Sequence, residues 1–166
     1  TKAKFVELYL NNQLLKRKSN NKCIVKFKIK YYPGELVAKA YDENKLLIGE
    51  TSLKTADKET ILMAKSEIEK INKGDLIYLR FKFSDSKGIL KPMLKSDIKI
   101  DRILNGKLLG FGNGCSYSKR GYITDINNTF YGEATAVIQP TYEGDVIVEA
   151  SSKYGNSTTK IELGEN

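Results

Sequence analysis

The sequence points to an all-β protein of two tandem β-sandwich modules on three grounds. Apolar and polar residues alternate with a period of two in one segment after another. Clusters of Asn, Asp, Pro and Gly separate those segments about every 8–12 residues. A short polar stretch, TADKET from Thr55 to Thr60, divides the chain into a first module, residues 1–56, and a second, residues 57–166.

The first module contains four segments with strand alternation: Lys4–Leu10, Lys22–Lys30, Glu35–Asp42 and Lys45–Lys54. Asn11-Asn12-Gln13 reads as a turn, because asparagine tolerates a left-handed backbone. Tyr32-Pro33-Gly34 reads as a second, with Pro presetting one dihedral and Gly supplying the other. In the second segment Val25, Phe27 and Ile29 alternate with Lys26, Lys28 and Lys30. That pattern gives one apolar inner face and one lysine outer face, which also guards an edge against pairing. An immunoglobulin-type sandwich needs about seven strands. Four strands in about 56 residues make a marginal core. The first module is therefore expected to be incomplete at its N-terminus, or to lean on the second.

The second module begins with an ambiguity. Ile61, Ala64, Ile68 and Ile71 fall at helical spacing, with Gly74 placed as a helix cap. Everything after Gly74 alternates as strand, so two short strands joined by a turn near residues 70–75 are expected here. Leu76–Ser84 sets Ile77, Leu79, Phe81 and Phe83 against Tyr78, Arg80 and Lys82. Ser96–Ile103, Lys107–Gly110 and segments near 130–139, 144–152 and 156–163 follow, which is enough for a complete sandwich. The cluster Gly110-Phe111-Gly112-Asn113-Gly114 lacks the spacing of a dinucleotide cradle, and no helical pattern follows it. It reads as a bulge or corner where chains approach closely.

Composition narrows the chemistry. With 40% hydrophobic and 29% charged residues, the chain is globular rather than disordered. No apolar run reaches the length of a membrane span. There is no histidine, which removes Ser-His-Asp and Cys-His catalysis and most zinc sites. Cys23 and Cys115 are too few for a disulfide framework, and both read as packing thiols. The net charge of +8 sits almost wholly in residues 1–56, where twelve basic residues face five acidic ones. Only Arg17, Arg80, Arg102 and Arg120 are arginines. Base readout favours arginine, and single-strand binding needs aromatics among the basic residues, so nucleic acid is not an expected partner. The lysine face reads as a solvated surface, with an acidic glycan or wall polymer as its alternative ligand. No cofactor is expected. Asp97 and Asp101 lie on one strand, but the oxygen-rich loop spacing of a calcium site is missing, so no metal is expected.

Both halves of the chain resemble a known family. The run from Gly106 to Gly114, the strand Phe130-Tyr131-Gly132-Glu133-Ala134-Thr135-Ala136-Val137-Ile138 and the strand Gly144–Ser151 resemble the last immunoglobulin-like module of family 2 glycoside hydrolases of the β-galactosidase type. Val6–Leu15, Val25–Ile29 and Tyr32–Asp42 resemble the immunoglobulin-like module that follows the catalytic barrel in the same enzymes. The resemblance runs in the family's order from about Phe5 to Leu163. The chain departs from it at Asn11-Asn12, where the family often has Asn-Gly, and at Cys115-Ser116, where it often has Asp-Pro. The resemblance implies a C-terminal accessory region whose partner is the upstream catalytic barrel of the same polypeptide. It implies a bacterial parent, whether secreted, cell-surface or cytoplasmic, in any oligomeric state. The paired glutamates of that family lie in the barrel, so no catalytic residue is expected here. The acidic residues of this chain, such as Asp42, Glu43, Asp85, Asp125 and Glu143, fall mostly in turns or on outward strand positions.

Tyr117, Tyr122 and Tyr131 surround the long loop 112–129 and are the candidates for sugar contact, since carbohydrate modules stack sugars on flat rings. The competing reading is that tyrosines cover a sandwich end with ring buried and hydroxyl wet. Two other functions stay open at this point. One is a carbohydrate-binding targeting module. The other is an immunoglobulin-like stalk of a bacterial surface protein, although the two halves do not repeat one another as stalks usually do.

Overall fold

The computed structural model describes residues 2–164. Its elements are strands throughout, and among the described residues no helix is long and apolar enough to cross a membrane. The chain forms two compact units, Thr1–Thr55 and Ala56–Asn166.

The first unit is one antiparallel sheet in the order β2-β1-β3-β4, from β1 (Phe5–Leu10), β2 (Gln13–Ser19), β3 (Glu35–Tyr41) and β4 (Leu47–Lys54). Asn11 and Asn12 both have positive φ, 49° and 67°, which makes the tight hairpin from β1 into β2. That hairpin corrects one expectation. The segment 22–30 is not a strand, because Gln13–Ser19 takes the free edge of β1 first. The alternation in 22–30 is real all the same: Val25 and Phe27 are half-buried, while Lys26 and Lys28 are exposed. The segment is fixed by side chains of β2 instead of a ladder. Lys16 Nζ donates to the Lys28 carbonyl at 3.0 Å, and Lys18 Nζ donates to the Lys26 carbonyl at 2.8 Å. Phe27 and Ile29 then border a cavity of about 290 Å³ with Leu8, Leu36, Ala38 and Leu53, all from one face of the sheet.

The other face carries Phe5, Glu7 and Tyr9 opposite Tyr41, Lys39 and Val37. Phe5 and Tyr41 stack with centroids 5.0 Å apart. Glu7 is buried, yet it stays an anion. Tyr9 donates its phenolic hydrogen to the carboxylate, and Arg17 bridges it from β2. The hydrogen bond from Tyr9, followed by the Arg17 bond and charge, holds the Glu7 carboxyl below its ordinary value despite its burial. The same bond pushes the Tyr9 phenol well above its ordinary range.

The second unit is the two-sheet sandwich. One sheet has the order β5-β7-β11-β9, from β5 (Ile61–Ser66), β7 (Ile77–Ser84), β9 (Gly106–Gly112) and β11 (Glu133–Pro140). The other has the order β10-β8-β12-β13-β6, from β6 (Lys70–Ile71), β8 (Asp97–Leu104), β10 (Ile126–Asn128), β12 (Val146–Ser152) and β13 (Gly155–Leu163). The ambiguous segment 61–71 resolves into β5 and β6, with Leu62 and Ile71 in the core. Ile77, Leu79, Phe81 and Phe83 point inward from β7 and meet Phe111, Ala134, Ala136, Ile138, Ile98, Ile100, Val146, Val148 and Ile161. Phe81 and Phe111 meet edge to face at 5.4 Å. Each large side chain buried this fully contributes about 1.5–3 kcal/mol.

Asp85 anchors the start of this unit. Its carboxylate accepts backbone N–H bonds from Asp57, Lys87 and Ile89 at 2.8–2.9 Å. Those bonds, that from Asp57 first, hold its carboxyl below the ordinary value.

Candidate functional site

Strand register decides what the outer face of the β5-β7-β11-β9 sheet presents. Inward residues of β11 are Ala134, Ala136 and Ile138, so Glu133, Thr135 and Val137 point outward. Thr135 pairs with Arg80 on one side and Gly112 on the other; Val137 pairs with Tyr78 and Gly110. The β9 edge therefore offers two glycines where other strands offer side chains, and the face is dished there. A register shift opposite Val137 and Ile138 leaves Leu109 as a bulge beside Gly110, as the glycine cluster predicts.

The chain then leaves β9 in the long loop and returns over this dish. Phe111 N–H donates to the Tyr122 carbonyl at 2.7 Å. Buried Asn127 donates from Nδ2 to the Phe111 carbonyl at 2.9 Å and to the Gly121 carbonyl at 3.3 Å. Asn113 ties the loop's first residues to Asn128 at 2.7 Å. Arg120 grips Asp97 through both guanidinium nitrogens, at 2.8 and 3.2 Å. Asp97, weighed above for calcium, is thus an arginine partner. These bonds bring the edge of the Tyr122 ring against Gly112, where any Cβ would overlap it.

The far wall is a two-residue turn. Phe130 and Glu133 exchange backbone bonds, leaving Tyr131 and Gly132 between them with φ of 51° and 79°. Left-handed φ is unusual for a bulky residue and costs about 1–2 kcal/mol. Gly132 is needed on its own account, because a Cβ there would run into the Lys91 carbonyl. The Tyr131 ring stands edge-on to Phe130 at 4.5 Å.

The result is an open groove of about 760 Å³, floored by Gly110, Gly112, Thr135 and Val137 and walled by Tyr122, Tyr131, Arg80 and Glu133. Tyr122 and Tyr131 remain 57% and 65% exposed, so their rings are open to solvent rather than sealing the sandwich end. Tyr117, at 77%, is a different case. It lies against Phe130 at 6.1 Å and borders a second depression of about 270 Å³ with Lys95, Lys119 and Arg120. Charge interaction with the Cys115 sulfur pushes its phenol above the ordinary value. Of the three sequence candidates, the structure brings two together and sets the third beside another depression. Sequence reasoning missed Arg80 and Asn127. Arg80 was legible only as an outward position on β7, where its Nη2 now meets Glu67 at 2.9 Å.

The carboxylates that drew attention in the sequence are scattered. Asp42 caps a turn through the N–H groups of Asn44 and Leu46, Asp85 anchors a loop, and Glu43, Asp125 and Glu143 are exposed. Among the described residues no cluster of three or more Cys, Asp or Glu side chains could hold a metal ion.

Residues 62–161 match the family described as Glycoside hydrolase family 2 C-terminal domain 5. The chain belongs to that family. It is a C-terminal module of a family 2 glycoside hydrolase, and the match answers the stalk reading in the hydrolase's favour. Residues 1–48 match a domain of unknown function, DUF4982. Beta-galactosidase BoGH2A of Bacteroides ovatus is 29% identical over 138 residues, which is 81% of this chain and 16% of that protein. A glycosyl hydrolase family 2 member from Bacteroides cellulosilyticus superposes with a TM-score of 0.89 at 23% identity, over 98% of this chain and 22% of that one. A beta-glycosidase from Bacteroides vulgatus gives 0.84 at 19% identity, over 96% and 21%. These structural likenesses establish the fold. The family 2 module described here thus spans about a sixth of the length of its curated relative and about a fifth of these structures.

Proposed function

We propose that this chain is the non-catalytic accessory region of a β-galactosidase-type hydrolase, and that the parent cleaves terminal β-galactosides. The observation that carries the reading is the likeness to a beta-galactosidase over 81% of this chain but only 16% of that enzyme. Retaining hydrolysis needs two carboxyl groups about 5–5.5 Å apart across a cleft, one as nucleophile and one as acid and then base. Among the described residues the buried carboxylates, Glu7 and Asp85, are each committed to structural donors. The reacting pair accordingly belongs to an upstream barrel on the same polypeptide, and this region supplies architecture beside it.

The test is to purify the full-length parent and assay it on nitrophenyl β-galactoside, β-glucoside and β-glucuronide. Preferential hydrolysis of the β-galactoside is expected. Preference for another glycoside would overturn the substrate assignment, and inactivity on all of them would overturn the hydrolase parent.

A further inference from the structure

We infer that the groove over Gly110 and Gly112 is a binding site for a neutral oligosaccharide, with sugar rings stacked on Tyr122 and Tyr131. This goes beyond an accessory role, which requires no contact with carbohydrate at all.

Three features point to that ligand. First, two aromatic rings border one groove and remain more than half exposed. Pyranose rings present patches of C–H that pack on such rings, while their hydroxyls need nearby donors and acceptors. The Arg80 guanidinium, the Glu133 carboxylate and Thr135 supply them along the same groove. Second, both rings are held where the fold gains little from them. Tyr131 occupies a left-handed position better suited to Asn or Gly, and such local strain gathers at ligand sites. Tyr122 sits where only a glycine underneath leaves room for it. Third, the charges balance. Arg80 and Glu133 are the charged residues lining the groove, and Arg80 already meets Glu67. An anionic glycan would find no surplus of positive charge, so the ligand is uncharged. The volume, about 760 Å³, lies within the usual range of small-ligand sites.

The 166-residue chain is titrated calorimetrically and by amide NMR with the neutral probes β-1,4-galactotetraose, cellotetraose and xylotetraose, and with tetragalacturonate as the charged counterpart. At least one neutral probe is expected to bind, to move the amides of Gly110, Gly112 and Thr135, and to keep its affinity between about 20 and about 500 mM salt. Tyr122→Leu, Tyr131→Asn and Gly112→Ala should each weaken binding about tenfold, the size of one lost ring contact. The asparagine suits the left-handed backbone, and the alanine acts by displacing the Tyr122 ring, so both variants keep the fold. Tyr117→Ala, on the other depression, should bind as the parent chain does. Failure of all three neutral probes, binding indifferent to the three groove variants, or salt-sensitive preference for tetragalacturonate would each overturn the inference. None of these outcomes depends on which bond the parent enzyme cleaves.

Discussion

The Cδ1–Cε1 edge of the Tyr122 ring lies against Gly112, and a Cβ on that glycine would overlap both atoms. Gly112 is not among the residues with left-handed φ, so its requirement is one of space, not of backbone conformation. The obstructing atoms belong to an exposed side chain that can swing away. Gly112→Ala should therefore change stability by no more than about 0.5 kcal/mol. The Tyr122 ring resonances should shift markedly. Thermal melting and aromatic NMR on the same sample check both halves of the statement.

Asn127 holds the loop from beneath. Asn127→Ala would leave the buried Phe111 carbonyl without its partner and cut the tie to Gly121. A loss of about 1–3 kcal/mol is expected, the cost of an unsatisfied buried polar group. Urea denaturation measures it.

The inward and outward faces of β7 give a contrast within one strand. Phe81→Ala opens a cavity against Phe111 and should cost about 3–5 kcal/mol. Tyr78→Ala, on the outer face, should cost about 0.5 kcal/mol or less. Equal losses from the two variants would mean the register is wrong.

Acid should destabilise the chain through two identifiable carboxylates. Glu7 and Asp85 both have native pKa values below their ordinary 4.5 and 3.8. The folded state thus binds their protons less readily than the unfolded state. Their contribution is whole above those ordinary values and is lost as pH falls from there through the lowered native ones. Glu7→Gln and Asp85→Asn should each be less stable than the parent chain at pH 7, and should lose less on acidification to pH 3. Denaturant midpoints across that range provide the check.

Much of the sandwich was legible in the sequence because alternation reports which side chains are buried. Ile77 through Phe83, Ile98 with Ile100, and the pattern of β12 all do so. Alternation does not report backbone pairing. Residues 22–30 alternate as a strand would, yet the Asn11-Asn12 hairpin delivers Gln13–Ser19 to the β1 edge first. Helical spacing misleads at Ile61–Ile71 for a related reason: Ile61 and Ile71 serve two short strands once the neighbouring strands exist, and Ile68 lies between them.

The site was legible only in part. The three tyrosines were visible as aromatic residues around one loop, but their separation by Phe130 depends on a turn three-dimensional in origin. Buried Asn127 looks like any loop asparagine in the sequence. Buried Glu7 falls on the polar phase of β1, and its partner Arg17 lies ten residues on, brought alongside by the hairpin.

The most direct measurement compares hydrolysis of nitrophenyl β-galactoside by the full-length parent and by this 166-residue chain alone, at equal molar concentration. Turnover by the parent and none by the chain is expected of a region that belongs to a glycosidase without performing its chemistry. Turnover by the isolated chain, or none by the intact parent, would contradict that assignment.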